Sequence, residues 1–386
     1  MPAAENKCWE EWKPMLAMVG VDIALATVNL LLKKVLEQGL LNHLVLVTYR
    51  QSISTLFLAP LAYFWERKSR PKLTPLILCY LFFSAMLGAT ITQNLFLYGI
   101  DFTSATFSCA FINMVPAITF LLAIPFRLES VKLKSMSGRA KALGTTICVG
   151  GGMLLILYKG IPLTKPMMIM NSNQLRNYYA LPPTITNQQQ GSPPSSAYFS
   201  SSSRRLSLNP NKGAGERWTI GSLALVAGSI CWSSWFLLQS KIGKHYPCHY
   251  SSTAIMSFFG AFQSALLSLL FHRDISMWIL KGRVEIFTVL YTGIMGSGLC
   301  YVGMAWCVKK RGPLFTAAFS PLIQIIVAMF DFSILHEQLY IGSILGSILV
   351  IVGLYVLLWG KSKEAKDNVT KPLVEAEEQV DQATHI

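Results

Sequence analysis

Three charged side chains interrupt apolar runs of this sequence: Asp22, Arg50 and Asp331. An ionisable residue inside a membrane helix is costly and usually serves a function, although a purely structural ion pair is the alternative. At 1.5 Å per residue, Arg50 lies roughly 10 Å from the outer end of its helix, and Asp331 lies near the outer end of its own. Asp22 lies closer to the inner face. We therefore expect Arg50 and an acid to pair in the outer leaflet, where they gate or bind a zwitterion or an anion.

Uncharged polar and aromatic residues in the same apolar runs are the candidates for contacting a substrate. Amide side chains both donate and accept hydrogen bonds, so they suit either end of a zwitterion. The alternative role is hydrogen bonding between helices, worth about 0.6 kcal/mol each, or aromatic packing at the interface. The candidate substrate contacts are Asn29, Gln93, Asn94, Asn113, Thr119, Trp235, Gln239 and Gln324.

A proline, an acid and two glycines occur in the same order in both halves of the chain. The first set is Pro116, Glu129, Gly144 and Gly151, and the second is Pro321, Glu337, Gly346 and Gly353. Proline inside a membrane helix frees backbone carbonyls, which neighbouring helices or a cavity must satisfy. The two acids are candidate partners in closing an inner and an outer gate, with locally hydrogen-bonded helix ends as the alternative.

The elements that position these residues are ten apolar segments, each long enough to cross a bilayer core of about 30 Å. They cover residues 14–33, 43–64, 76–98, 104–126, 141–158, 217–238, 250–271, 284–306, 313–334 and 341–359. Five segments in each half force the second half to cross with opposite polarity, which is the inverted repeat of alternating-access carriers. The sequence thus predicts an all-α integral membrane protein, with repeats at 14–158 and 217–359.

Basic residues set the orientation of these segments. With the N-terminus inside, the inner loops and termini hold 20 Lys and Arg residues, against five in the short outer loops. The positive-inside rule therefore places both termini in the cytoplasm. The flanking regions are a cytoplasmic N-terminal tail at 1–13, a Ser-, Pro- and Gln-rich connector at 159–216 and a C-terminal tail at 360–386. We expect the connector and the C-terminal tail to be disordered.

Composition excludes several other classes of protein. The chain has 386 residues, 52% hydrophobic and 13% charged, which is too apolar for an ordinary soluble domain. Its net charge of +14 comes from clusters between the apolar runs, so nucleic-acid binding is not expected. No catalytic constellation, cofactor motif or metal-ligand spacing occurs, so we expect neither an enzyme nor a cofactor or metal. The sequence carries no signal for an oligomeric state.

Several short motifs together resemble one family of plant transporters. In the first half they are Tyr49-Arg50, Glu66-Arg67, Arg70-Pro71-Lys72, Gln93-Asn94, Thr103-Ser104-Ala105, Pro116-Ala117-Ile118-Thr119 and Gly144-Thr145. In the second half they are Trp232-Ser233, Tyr246-Pro247, Ser297-Gly298, Gly312-Pro313, Ser320-Pro321-Leu322 and Gly353-Leu354-Tyr355. The chain resembles plant drug/metabolite transporters of the EamA superfamily, in the Walls-Are-Thin-related or nodulin-21-like (UMAMIT) group.

The resemblance implies a ten-helix carrier with two EamA repeats and a central cavity, which exports amino acids or facilitates their movement in both directions. Some relatives move auxin, so a planar aromatic acid is the rival substrate. The family also favours the plasma membrane over the vacuolar membrane. Asp22 stands where relatives typically have glutamine, which bears on specificity or coupling. A channel, or a membrane protein that binds without transporting, is the alternative of another class.

Overall fold

The computed structural model describes residues 2–37, 43–103, 111–126, 128, 135–158, 214–271, 278, 280, 282–335 and 341–384. Over these residues the chain is helical and contains no strand. Seven of its helices are long and apolar enough to cross a membrane, and two shorter apolar helices span Phe111–Ala123 and Pro313–Val327. The prediction of an all-α membrane protein is confirmed over this part of the chain, whereas the count of ten spans stays a prediction.

Among the described residues of the first half, six α-helices and one π-helix are named here. They are α1 (Pro2–Glu37), α2 (His43–Glu66), α3 (Pro75–Ala85), π1 (Met86–Ile91), α4 (Thr92–Phe102), α5 (Val115–Ala123) and α6 (Met136–Leu157). The second half contains α7 (Ala214–His245), α8 (His249–Phe271), α9 (Arg283–Tyr291), π2 (Thr292–Leu299), α10 (Cys300–Arg311), α11 (Pro313–Ala318), α12 (Ser320–Leu335) and α13 (Ile341–Thr384).

Local sequence explains where several of these helices begin. The side chains of Thr74 and Ser135 each accept a hydrogen bond from a backbone N–H three residues on, which caps α3 and α6. Gly312 has a φ of 89°, a value that favours glycine, and it is followed by Pro313 at the first position of α11. This Gly-Pro step ends α10 and turns the chain directly into the next helix.

Both halves carry a π-helical segment in the same element. The third membrane-crossing element of the first half is α3, π1 and α4, and its counterpart in the second half is α9, π2 and α10. π-Helical segments are rare and occur frequently at functional sites. Like the repeated prolines and glycines, the π segments recur in both halves. They lie at positions that hydropathy does not mark.

The repeated glycines bring α6 and α13 into direct contact. A Cβ on Gly144 would lie 2.8 Å from the Gly353 carbonyl oxygen, and one on Gly353 would meet the backbone nitrogen of Cys148. Gly151 lies equally close to Val350. Only residues without a side chain permit two helix backbones to approach so closely.

The helices α2 and α8 form a second close pair. Ser54 on α2 is hydrogen-bonded to Ser257 on α8 at 2.9 Å. At the end of the pair, the Glu66 carboxylate accepts hydrogen bonds from the backbone N–H groups of Tyr250 (3.0 Å) and Ser251 (2.7 Å). Glu66 therefore caps the N-terminus of α8 from the neighbouring helix, a role that the sequence did not indicate.

A large buried cluster, here called the inner core, joins eight helical elements. It contains Met18, Val21, Ala85, Val115, Trp235, Phe236, Met256, Cys300, Tyr301, Met304, Cys307, Val308, Leu314, Phe315, Ala317, Ala318, Phe319, Leu354 and Leu357. Outside this cluster, Lys361 donates to the Arg311 carbonyl at 2.9 Å and the buried Lys141 pairs with Glu364 at 2.8 Å. These contacts join the start of α6 and the end of α10 to α13, while the side of the membrane on which they lie stays a prediction.

The C-terminal tail differs from the sequence expectation. The backbone of α13 continues through Thr384, so most of the tail expected to be disordered is described as helix. The membrane-spanning part already supplies the helix nucleus, and the residues beyond it are rich in Lys, Glu and Ala, which extend a helix at little cost. The connector 159–216, by contrast, lies outside the described residues except for its last three positions.

Candidate substrate site

Five side chains from four elements meet inside the bundle and form what we call the central cluster: Arg50, Gln93, Trp232, Trp235 and Tyr301. Gln93 follows π1 by two residues and Tyr301 follows π2 by two residues, so the two occupy matching places in the two halves. The Gln93 amide is within hydrogen-bonding reach of the Tyr301 side chain. The two π segments therefore bring equivalent positions of the halves into contact.

The aromatic side of the cluster is a stack of indoles closed by a phenol. The rings of Trp232 and Trp235 stack at 5.2 Å between centroids, and Trp235 meets Tyr301 edge-on at 5.1 Å. The Tyr301 hydroxyl donates to the Gly88 carbonyl at 3.2 Å. Trp235 is fully buried, whereas Trp232 is partly exposed and is the ring that a bound molecule could reach.

Gly88 makes room for this arrangement. A Cβ on Gly88 would lie 2.6 Å from the Trp235 indole nitrogen, well inside van der Waals contact. That nitrogen points at the Met256 sulfur, 3.5 Å away. The position of Trp235 thus depends on a helix residue with no side chain.

Arg50 supplies the positive charge of the cluster. Its guanidinium interacts electrostatically with Tyr301, and one terminal nitrogen lies 3.3 Å from where a Cβ of Gly296 would be. A Cβ there would be equally close to Val28 of α1, so Arg50 faces the interior between α1, π2 and α10. Its buried Nε has no hydrogen-bond partner among the described residues. Arg50 as a residue is partly exposed, although its Nε is buried.

Asp22 is a second ionisable residue that faces α10. It is 1% exposed, and its Oδ2 has no hydrogen-bond partner among the described residues. Asp22 interacts electrostatically with Cys300 and Cys307, and Cys300 also interacts with Arg50. The two charges thus act on the same face of α10, but no ion pair joins them in the described part of the chain.

The remaining acidic candidates cannot be compared with this arrangement. Glu129 and Glu337 lie outside the described residues, and so does the side chain of Asp331. The expected pairing of Arg50 with Asp331 therefore stays a prediction.

Three of the polar candidates make contacts within the protein. Asn113 donates to the Gly152 carbonyl at 3.1 Å, and Asn94 donates to the Thr90 carbonyl of its own helix at 2.7 Å. Gln239 donates to Ser84 at 3.0 Å and to the Met256 sulfur at 3.4 Å. These bonds are of the kind that joins or stabilises membrane helices. Gln239 shares the Met256 sulfur with the Trp235 indole.

The other three polar candidates have different surroundings. Thr119 is fully buried, Gln324 is partly exposed on α12 and Asn29 is exposed on α1. The Thr119 hydroxyl has no hydrogen-bond partner among the described residues. None of the three is brought into contact with the central cluster by a described hydrogen bond.

The two prolines occupy equivalent breaks. Pro116 follows a turn at Met114, and Pro321 follows a turn at Phe319. Near the first break, Ser229 donates to the Phe111 carbonyl and Ser233 to the Val115 carbonyl, at 3.1 and 3.3 Å. Near the second, the Cys148 thiol points at the Ala318 carbonyl. Neighbouring helices thus satisfy carbonyls beside both breaks, as the cost of unpaired backbone groups in a membrane requires.

The candidate substrate contacts proposed from the sequence did not include Gly88, Trp232 or Tyr301, and Trp232 appeared only within a family motif. A signal for Tyr301 was present, because the Gly296-Ser297-Gly298 step that precedes it is unusual within an apolar helix. Over the described residues, no group of three or more His, Cys, Asp or Glu side chains is arranged to hold a metal.

Comparison with known proteins assigns this architecture. The model of the EamA-like transporter family matches residues 12–157 and again residues 219–359. Two WAT1-related proteins of Arabidopsis thaliana are 48% and 46% identical to this chain, over 93% and 95% of its length and 90% and 91% of theirs. A protein crystal structure superposes with a TM-score of 0.62 at 13% identity, covering 89% of this chain and 98% of that one. At that identity the structural likeness concerns the fold alone.

Proposed function

Because this chain belongs to the EamA-like transporter family, as a membrane transporter with WAT1-related homologues, we propose that its cargo is amino acids. The carrier exports them or facilitates their movement in both directions. The observation that carries the proposal is the placement of Arg50 near Tyr301, whose side chain also meets Gln93 and Trp235.

The cluster offers partners for both ends of an amino acid. The Arg50 guanidinium suits the carboxylate, because planar, charged donors form the strongest hydrogen bonds to that group. An ammonium can lie over the partly exposed Trp232 ring, or it can donate a hydrogen bond to the amide oxygen of Gln93. Asp22 is too buried to reach a substrate here, so the ammonium is recognised by aromatic and amide groups.

A planar aromatic acid such as auxin is the second candidate. The stacked Trp232 and Trp235 favour it, because an indole or phenyl ring can extend the stack while its carboxylate meets Arg50. Amino acids carry an ammonium group that these acids lack, so matched substrates with and without that group separate the two candidates.

Transport proceeds in this proposal by alternating access. The face that carries Arg311, Lys361 and Lys141 is cytoplasmic in this proposal, because the positive-inside rule places both termini there. Rocking of the two inverted halves would open this face and close the other, with Glu129 and Glu337 as the gate acids. The plasma membrane is the proposed location.

The test is flux into and out of proteoliposomes containing the full chain, with amino acids and matched acids lacking the amino group, with and without a proton gradient. Saturable counterflow of labelled amino acid is expected for a carrier. A flux without counterflow would indicate a channel, and binding without flux would indicate a receptor.

Arg50→Gln should reduce transport by about ten- to a hundredfold, which corresponds to losing one charge-assisted hydrogen bond. Arg50→Lys keeps the charge and should retain part of the activity, because lysine lacks the planar pair of donors. Arg139→Gln, at an exposed position on α6, is the matched control and should be unaffected. Unchanged transport by a correctly inserted Arg50→Gln protein would contradict the assignment of the site.

A further inference from the structure

A narrow cleft opens between three helical elements, separate from the central cluster. It has a volume of about 190 Å³ and lies between π1, the end of α5 and the second half of α7. Its lining is apolar except for one hydroxyl and one ammonium group: Leu87, Leu122, Phe126, Ser234, Leu237, Leu238 and Lys241. The Ser234 hydroxyl donates to the Ile230 carbonyl of its own helix, so it offers the cleft little polarity.

The surface around the cleft has the character of a lipid-facing surface. Leu121, beside Leu122, is 65% exposed, and Ile230, one turn before Ser234, is 42% exposed. Bulky apolar side chains this exposed on the apolar helices of a membrane protein face hydrocarbon. An acyl chain is therefore the occupant that the surroundings of the cleft supply.

Lys241 adds a charge to this apolar site. Its side chain is exposed, and its Nζ lies over the Phe126 ring, 5.1 Å from the centroid. No carboxylate pairs with it among the described residues. Lys244 and His245 follow in the last turn of α7, so the cleft lies at the basic end of the bundle.

We propose that this cleft binds one acyl chain of an anionic phospholipid, with the lipid phosphate paired to Lys241. The cytoplasmic leaflet carries anionic lipids, and one basic residue near its surface favours such a lipid by about fivefold. Phe126 holds the ammonium at the mouth, while the leucines contact the chain. A zwitterionic lipid fills the apolar part equally well but gains less from Lys241.

The site adjoins the element that carries the central cluster. Leu87 precedes Gly88, whose carbonyl accepts the Tyr301 hydroxyl and whose backbone packs on Trp235. A lipid chain against Leu87 therefore contacts π1 from the membrane side, while the substrate site lies on its inner side. Lipid composition should consequently affect the carrier without the lipid touching the cargo.

The test measures bound lipid on the full-length protein by native mass spectrometry, after exchange with phosphatidylserine or phosphatidylcholine. Wild type should retain phosphatidylserine about fivefold more than phosphatidylcholine. Lys241→Gln should remove that preference, whereas Lys244→Gln, the same charge change three residues on and outside the cleft lining, should keep it. Ser234→Leu, which fills the cleft, should reduce the retention of both lipids.

Equal loss of preference in the Lys241 and Lys244 variants would overturn the proposal, because it would show that overall basic charge attracts the lipid. Equal retention of the two lipids by wild type would overturn it as well. If Ser234→Leu does not fold, as judged by gel filtration, the two lysine variants still decide. The measurement involves no transport, so its failure would leave the proposed function standing.

Discussion

Gly88 is the single residue on which the geometry of the central cluster most clearly depends. A methyl group there would overlap the Trp235 indole, which is itself fully buried and cannot move aside without disturbing Tyr301 and Met256. Overpacking a well-filled interior costs about 1–3 kcal/mol. The overlap with Trp235 involves one added methyl group, so a single substitution tests its cost.

We expect Gly88→Ala to lower the unfolding free energy by about 1–3 kcal/mol and to reduce transport. Gly20→Ala is the matched control, because a Cβ at Gly20 meets nothing within 4 Å and alanine favours a helix. Thermal unfolding of the two purified variants measures the difference. Equal unfolding temperatures would show that Trp235 can move away from Gly88.

The thiol of Cys248 provides a residue-scale prediction on pH. Cys248 lies in the short loop between α7 and α8, where burial, with a smaller contribution from Glu66, raises the pKa of its thiol. A raised pKa means that the reactive thiolate forms only at higher pH than for an ordinary cysteine. In a variant that keeps Cys248 alone, alkylation of the folded protein should therefore begin at higher pH than alkylation of the same protein unfolded in detergent. Coincident pH profiles would contradict this burial.

Individual side chains also show where sequence reasoning reaches its limit. Arg50 could be selected as a candidate functional residue because a charge inside an apolar run is energetically costly. Gln93 and Gln239, however, are the same residue type in equally apolar runs, and only the packing of helices places one beside Tyr301 and the other against Ser84. The type of a buried polar residue indicates that it has a hydrogen-bond partner. Which residue that partner is depends on how the helices pack.

At the scale of helices, the structure identifies which helices the repeated glycines bring together. The sequence analysis identified these glycines only as a repeat, and the structure shows that α6 and α13 pack against each other through Gly144 and Gly353. Both contacts involve backbone atoms, which cannot rotate away as a side chain can. The interface should therefore tolerate no added methyl group.

Gly353→Ala should destabilise the protein by more than about 1 kcal/mol, because a Cβ would overlap the backbone at Cys148. Gly150→Ala, on α6 but with nothing within 4 Å of its Cβ, should leave the unfolding temperature unchanged or raise it slightly. Thermal unfolding by intrinsic fluorescence distinguishes the two. Destabilisation of the same size in both variants would mean that glycine serves helix flexibility and not the contact.

The cap of α8 is the second helix-scale prediction. Glu66 accepts two backbone N–H groups at the positive end of the helix dipole, and Arg70 donates to the Ser251 hydroxyl beside it. Glu66→Gln loses the charge and one of the two acceptors, which should cost about 1–2 kcal/mol. Lys68→Gln, at an exposed neighbouring position, serves as the control. Unfolding free energies of the purified proteins measure the cost, and an unchanged value for Glu66→Gln would rule out a stabilising cap.

At the scale of the whole molecule, hydropathy and charge predicted most of the architecture, because each span must be long, apolar and flanked by basic residues on one side. Two features escaped this reasoning. The extension of α13 to Thr384 depends on a preceding helix as nucleus, which composition of the tail alone does not reveal. The π segments depend on local hydrogen-bond register, to which hydropathy is insensitive.

That register has a mechanical consequence. A π turn holds more residues than an α turn, so a return of π1 or π2 to α geometry would rotate every following side chain by about 100° per residue of shift. Gln93 and Tyr301 stand two residues beyond these segments, one in each half. Their side chains would then lose contact with each other, while both helices stay folded.

We expect amide hydrogen exchange at 86–91 and 292–299 to be faster than in the middle of α2 and to slow when substrate binds. Exchange rates that substrate leaves unchanged would exclude such a shift. A change from π to α geometry in these two short segments would thus let two otherwise rigid halves release the substrate.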